Sequence, residues 1–252
     1  MGQKAKTMLA TRIIPMILHS HGCMVKGIKF QSWRTAGHAL QAARIHQTRG
    51  VDELLFLDVA ATPEKKPNDF ALVEKLTAGC FMPITAGGGV RSLDDVQALL
   101  RHGADKVAIG AGCHTGKGLV RHCADVVGRQ AIVAVIETED GKTHVPGYDW
   151  PNLHPVDWAI YLACEGAGEI LLMARDRDGT CEGYDLATIK AVANHVDIPV
   201  VAAGGAGTYE HMRQAIEAGA SAVAGGSIFQ WTDQTPKGAA QYLAAHGIEA
   251  RV

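Results

Sequence analysis

Short apolar runs recur along the chain, each followed by a glycine-rich or acidic turn and then by a stretch whose apolar positions return at helical spacing. Eight runs begin near Ile13, Leu54, Ile84, Val107, Ile132, Ile170, Val200 and Val223, and the helical stretches follow near Gly37, Asn68, Ser92, Gly118, Pro155, Asp185, Thr208 and Lys237. This βα alternation predicts a parallel sheet covered by helices. Ser92, Asp185 and Thr208 stand where N-caps belong, since a short polar side chain satisfies the open amides of a first turn. Gly103 and Gly219 mark C-caps.

The pattern is written twice. The segment from Pro83 to Ala111 overlays that from Pro199 to Ser227 at a constant offset of 116 residues, and the same offset carries Glu53–Asp58 onto Glu169–Ala174. Eight βα units in two similar halves predict a closed (β/α)8 barrel, whose active groups sit on the loops after the C-terminal strand ends. A doubly wound open sheet is the competing fold, but no strand with a Gly-x-Gly-x-x-Gly turn opens the chain.

Composition narrows the class. The 252 residues are 47% hydrophobic and 20% charged with a net charge of −2, and no apolar run is long enough to span a bilayer. A membrane protein and a general nucleic-acid binder are thereby disfavoured. The polar residues 1–7 read as a disordered extension without a secretory pattern, ahead of a single barrel domain over 8–252, and the expected compartment is the cytoplasm. Six cysteines without a Cys-x-x-Cys pair read as reduced thiols.

Gly87-Gly88-Gly89 and Gly204-Gly205-Ala206-Gly207 each lie between a strand and a helix, where backbone amides can face an anion. The next strand of each half ends in Gly110-Ala111-Gly112 or Gly225-Gly226-Ser227, and Asp178-Gly179-Thr180 adds a loop to the second half. Two such cups would hold a small molecule phosphorylated at both ends. The plainer alternative is that these glycines serve only tight turns.

Arg12-Ile13-Ile14, Val25-Lys26-Gly27, Asp52-Glu53-Leu54, Ala104-Asp105-Lys106-Val107, Gly166–Leu172 and the run Asp176–Asp185 carry a resemblance to the HisF family, the cyclase subunits of imidazole glycerol phosphate synthase. It covers nearly the whole chain. It implies a HisH-like glutaminase partner at the N-terminal face, an ammonia gate made of Arg12, Glu53, Lys106 and Glu169, and a partner contact at Asp105. Salt bridges that merely seal the barrel base are the alternative for the four charges. The resemblance implies phosphate sites at Gly88, Gly89, Gly110, Ala111, Gly179, Gly205, Gly226 and Ser227, and no cofactor or resident metal.

The chain departs from that family where chemistry is done. The cyclisation implied by the resemblance uses two aspartates, and here those positions are Leu18 and Glu137. A leucine transfers no proton, a loss of about 10² to 10⁴ in rate. Glu137, Asp58, Lys26 and Asp178 are the remaining catalytic candidates, with Lys26 expected on a flexible loop and both aspartates facing the mouth or carried as solvated loop charge. The loop from Thr138 to Trp150 is shorter than the family's, and Trp150, Trp158 and Trp231 read as packing residues.

These departures, with Cys80-Phe81-Met82-Pro83, are more similar to HisF paralogues of acetamidino-sugar biosynthesis in surface polysaccharides, which work with a glutaminase and a separate sugar amidotransferase. The expected role is therefore an ammonia-accepting subunit that passes ammonia on. An authentic histidine-pathway cyclase and a non-catalytic phosphate-binding scaffold are alternatives. So is a metal hydrolase built on His19-x-His21, although two histidines fall short of the three ligands usual for catalytic zinc.

Overall fold

The computed structural model describes residues 10–115, 118–145 and 153–250; the extension 1–7 and Trp150 lie outside them. In chain order the elements are β1 (Arg12–Ser20), β2 (Cys23–Ile28), β3 (Gln31–Gly37), α1 (Ala39–Thr48), β4 (Leu54–Asp58), α2 (Phe70–Ala78), β5 (Ile84–Gly87), α3 (Leu93–Arg101), β6 (Lys106–Ile109), α4 (Gly112–Thr115) and α5 (Leu119–Val127). There follow β7 (Ile132–Glu139), β8 (Lys142–His144), α6 (Pro155–Cys164), β9 (Glu169–Ala174), α7 (Leu186–Ala193), β10 (Val200–Ala203), α8 (Tyr209–Glu217), β11 (Ala222–Gly225), α9 (Ser227–Gln230) and α10 (Pro236–Ala245).

Strands β1, β4, β5, β6, β7, β9, β10 and β11 pair in parallel in that order, and β11 pairs back to β1 from Arg12↔Ala222 to Pro15↔Gly225. The ring closes, so the expected (β/α)8 barrel is the fold. Side chains alternate across each strand. Ile13, Ile17, Phe56 and Ile132 face the helices, while Ile14, Met16, Leu18, Leu55, Val133, Leu171 and Val201 fill the inside. The interior is thus packed side chain against side chain, as in other barrels of this size.

The duplication survives in detail. Helices α3 and α8 occupy positions 116 residues apart, capped by the Ser92 and Thr208 hydroxyls, which accept from Asp95 N and His211 N. Asp185 caps α7 in the same way. Gly88 and Gly204, both at positive φ, press against equivalent carbonyls: a Cβ would lie 2.1 Å from Asp58 O and 2.3 Å from Ala174 O. The C-caps are His102 and Ala218, so Gly103 and Gly219 stand one residue beyond the expected place, in the left-handed region that ends the helix.

Two antiparallel additions were not expected. Strands β2 and β3 form a hairpin off β1, and β8 folds back on β7 through Asp140-Gly141, two residues at positive φ. The stretch expected as a loop from Thr138 therefore begins as a hairpin, and residues 146–152 of it are not described. All six cysteines are free. No described helix is long and apolar enough to cross a membrane.

His46 on α1 is buried against Phe229, and burial, with the nearby Arg49, pushes its pKa down to about 4. The unfolded chain then binds a proton that the folded chain refuses. Stability should fall as pH drops from about 6.5 toward 4, by up to about 3 kcal/mol from this residue. Urea unfolding of His46→Gln across that range should show a flatter slope than the unaltered chain; an identical slope would show that His46 does not carry it.

Candidate functional site

At the N-terminal end of the barrel, interior positions of β1, β6 and β9 and the residue entering β4 place Arg12, Lys106, Glu169 and Glu53 around the axis. Arg12 bonds Glu53 at 2.6 Å and also Glu169. Lys106 reaches both carboxylates at 3.1 Å. Thr85 Oγ1 donates to Glu53 Oε1 at 2.7 Å. Each carboxylate thus meets both cations, giving a closed ring of alternating sign. The carboxylates are buried, while the two cations keep about a quarter of their side chains exposed.

Burial works against each charge in the ring, and the partners outweigh it. For Glu53, desolvation raises the pKa, but Lys106, Arg12 and the Thr85 hydroxyl bring the net shift downward. For Arg12, desolvation lowers the pKa, but hydrogen bonds and charge from Glu169 and Glu53 make the net shift upward. Asp105, at the same end, is exposed, and one of its oxygens accepts from Ile84 N at 2.8 Å.

At the opposite end, Asp58, Gly88, Gly89, Gly110, Ala111 and Glu137 line one cavity of about 490 Å³, with Leu18 in its wall. Glu137 is held by Arg175, Nη1 to Oε2 at 2.6 Å, and the Arg175 guanidinium lies over the Phe30 ring at 4.3 Å. Asp58 faces the cavity but spends Oδ1 on the amides of Ala60 and Ala61, which shapes the turn after β4. The Gly89 amide, expected to face an anion, donates to Thr62 Oγ1 at 3.2 Å. This first cup is partly occupied by its own loop.

The second cup is organised differently. Lys26 is not on a flexible loop: it sits on β2, buried, and donates to both Asp178 oxygens at 2.8 and 3.0 Å. Asp178 is likewise buried rather than solvated. Lys29 N donates to Asp178 O at 2.7 Å, and a Cβ on Gly179 would lie 2.2 Å from Gly27 O, so the hairpin is fastened onto this loop. A Cβ on Gly226 would sit 3.4 Å from Lys26 Nζ. Ser227 Oγ is buried with no hydrogen-bond partner among the described residues. Gly205 packs against Gly183 O, and Gly207 N donates to His211 Nδ1 at 3.3 Å.

His19 and His21 do not share a site. His19 is buried, 3.7 Å from Asp58, whereas His21 is exposed and pairs with Glu64 at 2.8 Å. No group of three potential metal-binding side chains exists among the described residues. Trp158 packs as expected, stacked between His114 and Tyr161, but Trp231 is 57% exposed. Phe30, Trp33, His144 and Arg175 were missed, although the stretch from His21 to His38 is too long for a structureless βα loop.

Fold and site together define a duplicated (β/α)8 barrel with a charged ring at one end and two unequal glycine cups at the other. Residues 12–235 match the model of a family described as histidine biosynthesis protein, and the chain belongs to that family.

Removing one carboxylate from the ring leaves two cations sharing the single charge of Glu169. Glu53→Gln should cost about 3 kcal/mol, the low end for a broken buried pair because the cations are partly exposed. The lowered Glu53 pKa adds stability that is complete above about pH 4.5 and is lost as pH falls through the folded value. Chemical denaturation at pH 7 and pH 4 checks both statements: the difference between variant and unaltered chain should shrink at the lower pH.

Proposed function

We propose that this chain is the ammonia-accepting barrel of a glutamine amidotransferase complex. In this reading a HisH-like glutaminase docks at the end that carries the ion ring, with Asp105 at the contact. Ammonia passes the ring and is handed on, for sugar amidination in surface-polysaccharide biosynthesis by a separate amidotransferase. The observation that carries the reading is the pairing of an intact four-charge ring with a mouth whose interior proton-transfer positions hold Leu18 and an arginine-bound Glu137.

The ring suits a gate because it is neutral overall and bound only through side chains. Opening one Lys106 contact leaves Arg12 still bridging both carboxylates. Above it, Leu55, Ala108, Ala222 and Ala224 offer no charge. An apolar interior favours neutral ammonia over ammonium, since an unpaired ion there is strongly penalised. In the conformation described the ring is closed, so passage requires a side chain to swing aside.

At the mouth, leucine at the end of β1 removes one acid-base group, and Glu137 is engaged by Arg175 at 2.6 Å. Phosphate binding is assigned in this reading to Gly226, Ser227 and Lys26 in the second half. Gly88, Gly110 and Ala111 contribute at most backbone donors in the first. An authentic cyclase is the second reading, supported by the family match, with Glu137 or Asp58 replacing the absent aspartate.

Complementation of a histidine auxotroph lacking its cyclase separates the two. The unaltered chain should fail, and restored growth would favour the cyclase. In a purified complex with a HisH-like glutaminase and the sugar amidotransferase, Lys106→Met should lower glutamine-dependent product formation by about tenfold or more while activity with added ammonium salt is spared. Equal loss with both nitrogen sources would rule out a gate, and failure of any glutaminase to co-purify would leave a phosphate-binding scaffold.

A further inference from the structure

The mouth cavity has an apolar floor made by Leu18, Leu57, Val135 and Met173, and an aromatic wall supplied by the β2–β3 hairpin. Phe30 and Trp33 meet edge to face at 6.0 Å. Trp33 is braced from behind by Gly27, where a Cβ would lie 3.0 Å from its ring, yet it keeps 40% of its surface exposed. A braced indole with one open side beside a cavity is a stacking platform.

The polar edge facing it is the Glu137–Arg175 ion pair, joined through one contact at 2.6 Å. Glu137 and Arg175 each retain a fifth of their side-chain exposure, so the pair's outer edge reaches the cavity. The charges lining the space cancel, Asp58 and Glu137 against Lys65 and Arg175. With the Gly89 amide spent on Thr62 and Asp58 Oδ1 spent on its own turn, a dianionic group entering here would gain no net cation and would meet Glu137.

We propose that this end of the mouth binds the uncharged ring of a sugar, with one C–H face on Trp33 and neighbouring hydroxyls on the Glu137–Arg175 pair. Hydroxyls both donate and accept, so two adjacent ones meet a carboxylate and a guanidinium together, whereas a phosphate oxygen only accepts. The space, about 490 Å³, is in the range of small-ligand sites. The inference goes beyond ammonia delivery and does not require it, because ring binding is a property of this chain alone.

Calorimetric titration of the full chain, without any glutaminase, tests it. The probes are glucose, N-acetylglucosamine, glucose 6-phosphate and inorganic phosphate. At least one neutral sugar should give a saturable heat, with glucose 6-phosphate no tighter than glucose. Trp33→Ala, Glu137→Gln and Arg175→Met should each weaken binding by about tenfold, with thermal melts confirming that the variants fold. Trp231→Ala, an exposed indole outside the cavity lining, should leave binding unchanged. The proposal is overturned if neither neutral sugar saturates by roughly 50 mM, where even weak millimolar sites fill. It is equally overturned if the sugar signal survives Trp33→Ala, or if phosphate-bearing probes bind at least tenfold tighter and ignore Trp33. None of these outcomes bears on whether ammonia passes the ring, which the glutamine and ammonium comparison decides separately.

Discussion

Two buried carboxylates and two part-buried cations at one end of a closed sheet are the constraint around which this barrel is arranged. Taking a carboxylate out of water is costly, and a single partner seldom compensates in full. Here Glu53 and Glu169 each have two cations, and Glu53 has the Thr85 hydroxyl as well. Arg12 and Glu169 are 157 residues apart in the chain. The ring therefore ties together strands from both halves, and it can be satisfied only when the sheet has closed. Interior positions elsewhere on those strands are apolar and pack against one another, where an unpaired charge would be strongly penalised.

The two halves share a frame and differ in what the frame carries. Gly88 and Gly204 bring equivalent turns against equivalent carbonyls, so the strand-to-helix geometry is the same on both sides. The side chains at those carbonyls differ: Asp58 organises its own turn, while Ala174 cannot. The hairpin inserted after β1 increases the asymmetry. It fastens to the Asp178 loop through Lys26 and Lys29, closing in on the second cup, while its Phe30 and Trp33 turn toward the first.

Much of the frame was legible in the sequence because it rests on local and repeated signals. The strand starts, the Ser92, Thr208 and Asp185 caps and the 116-residue offset depend on residue type and spacing alone. The members of the charged ring were legible through family resemblance, but its closed geometry was not, because pairing across the axis leaves no mark on spacing. Lys26 was misplaced for a related reason: a lysine in a glycine-flanked stretch reads as mobile and solvated until a distant aspartate is brought beside it. Arg175 was overlooked within a run of charged residues. Its importance comes from Glu137 and Phe30, which only the fold brings into reach.

The tip of the hairpin carries a consequence for how this molecule can vary. Lys29 and Phe30 both sit in the left-handed region, at φ of 53° and 57°, where a side chain costs about 1–2 kcal/mol. Glycine or asparagine at position 30 would relax the turn and would also remove the ring beneath Arg175. Local comfort and the architecture of the entrance therefore pull against each other at one residue, and a variant selected purely for thermal robustness would tend to lose its entrance first.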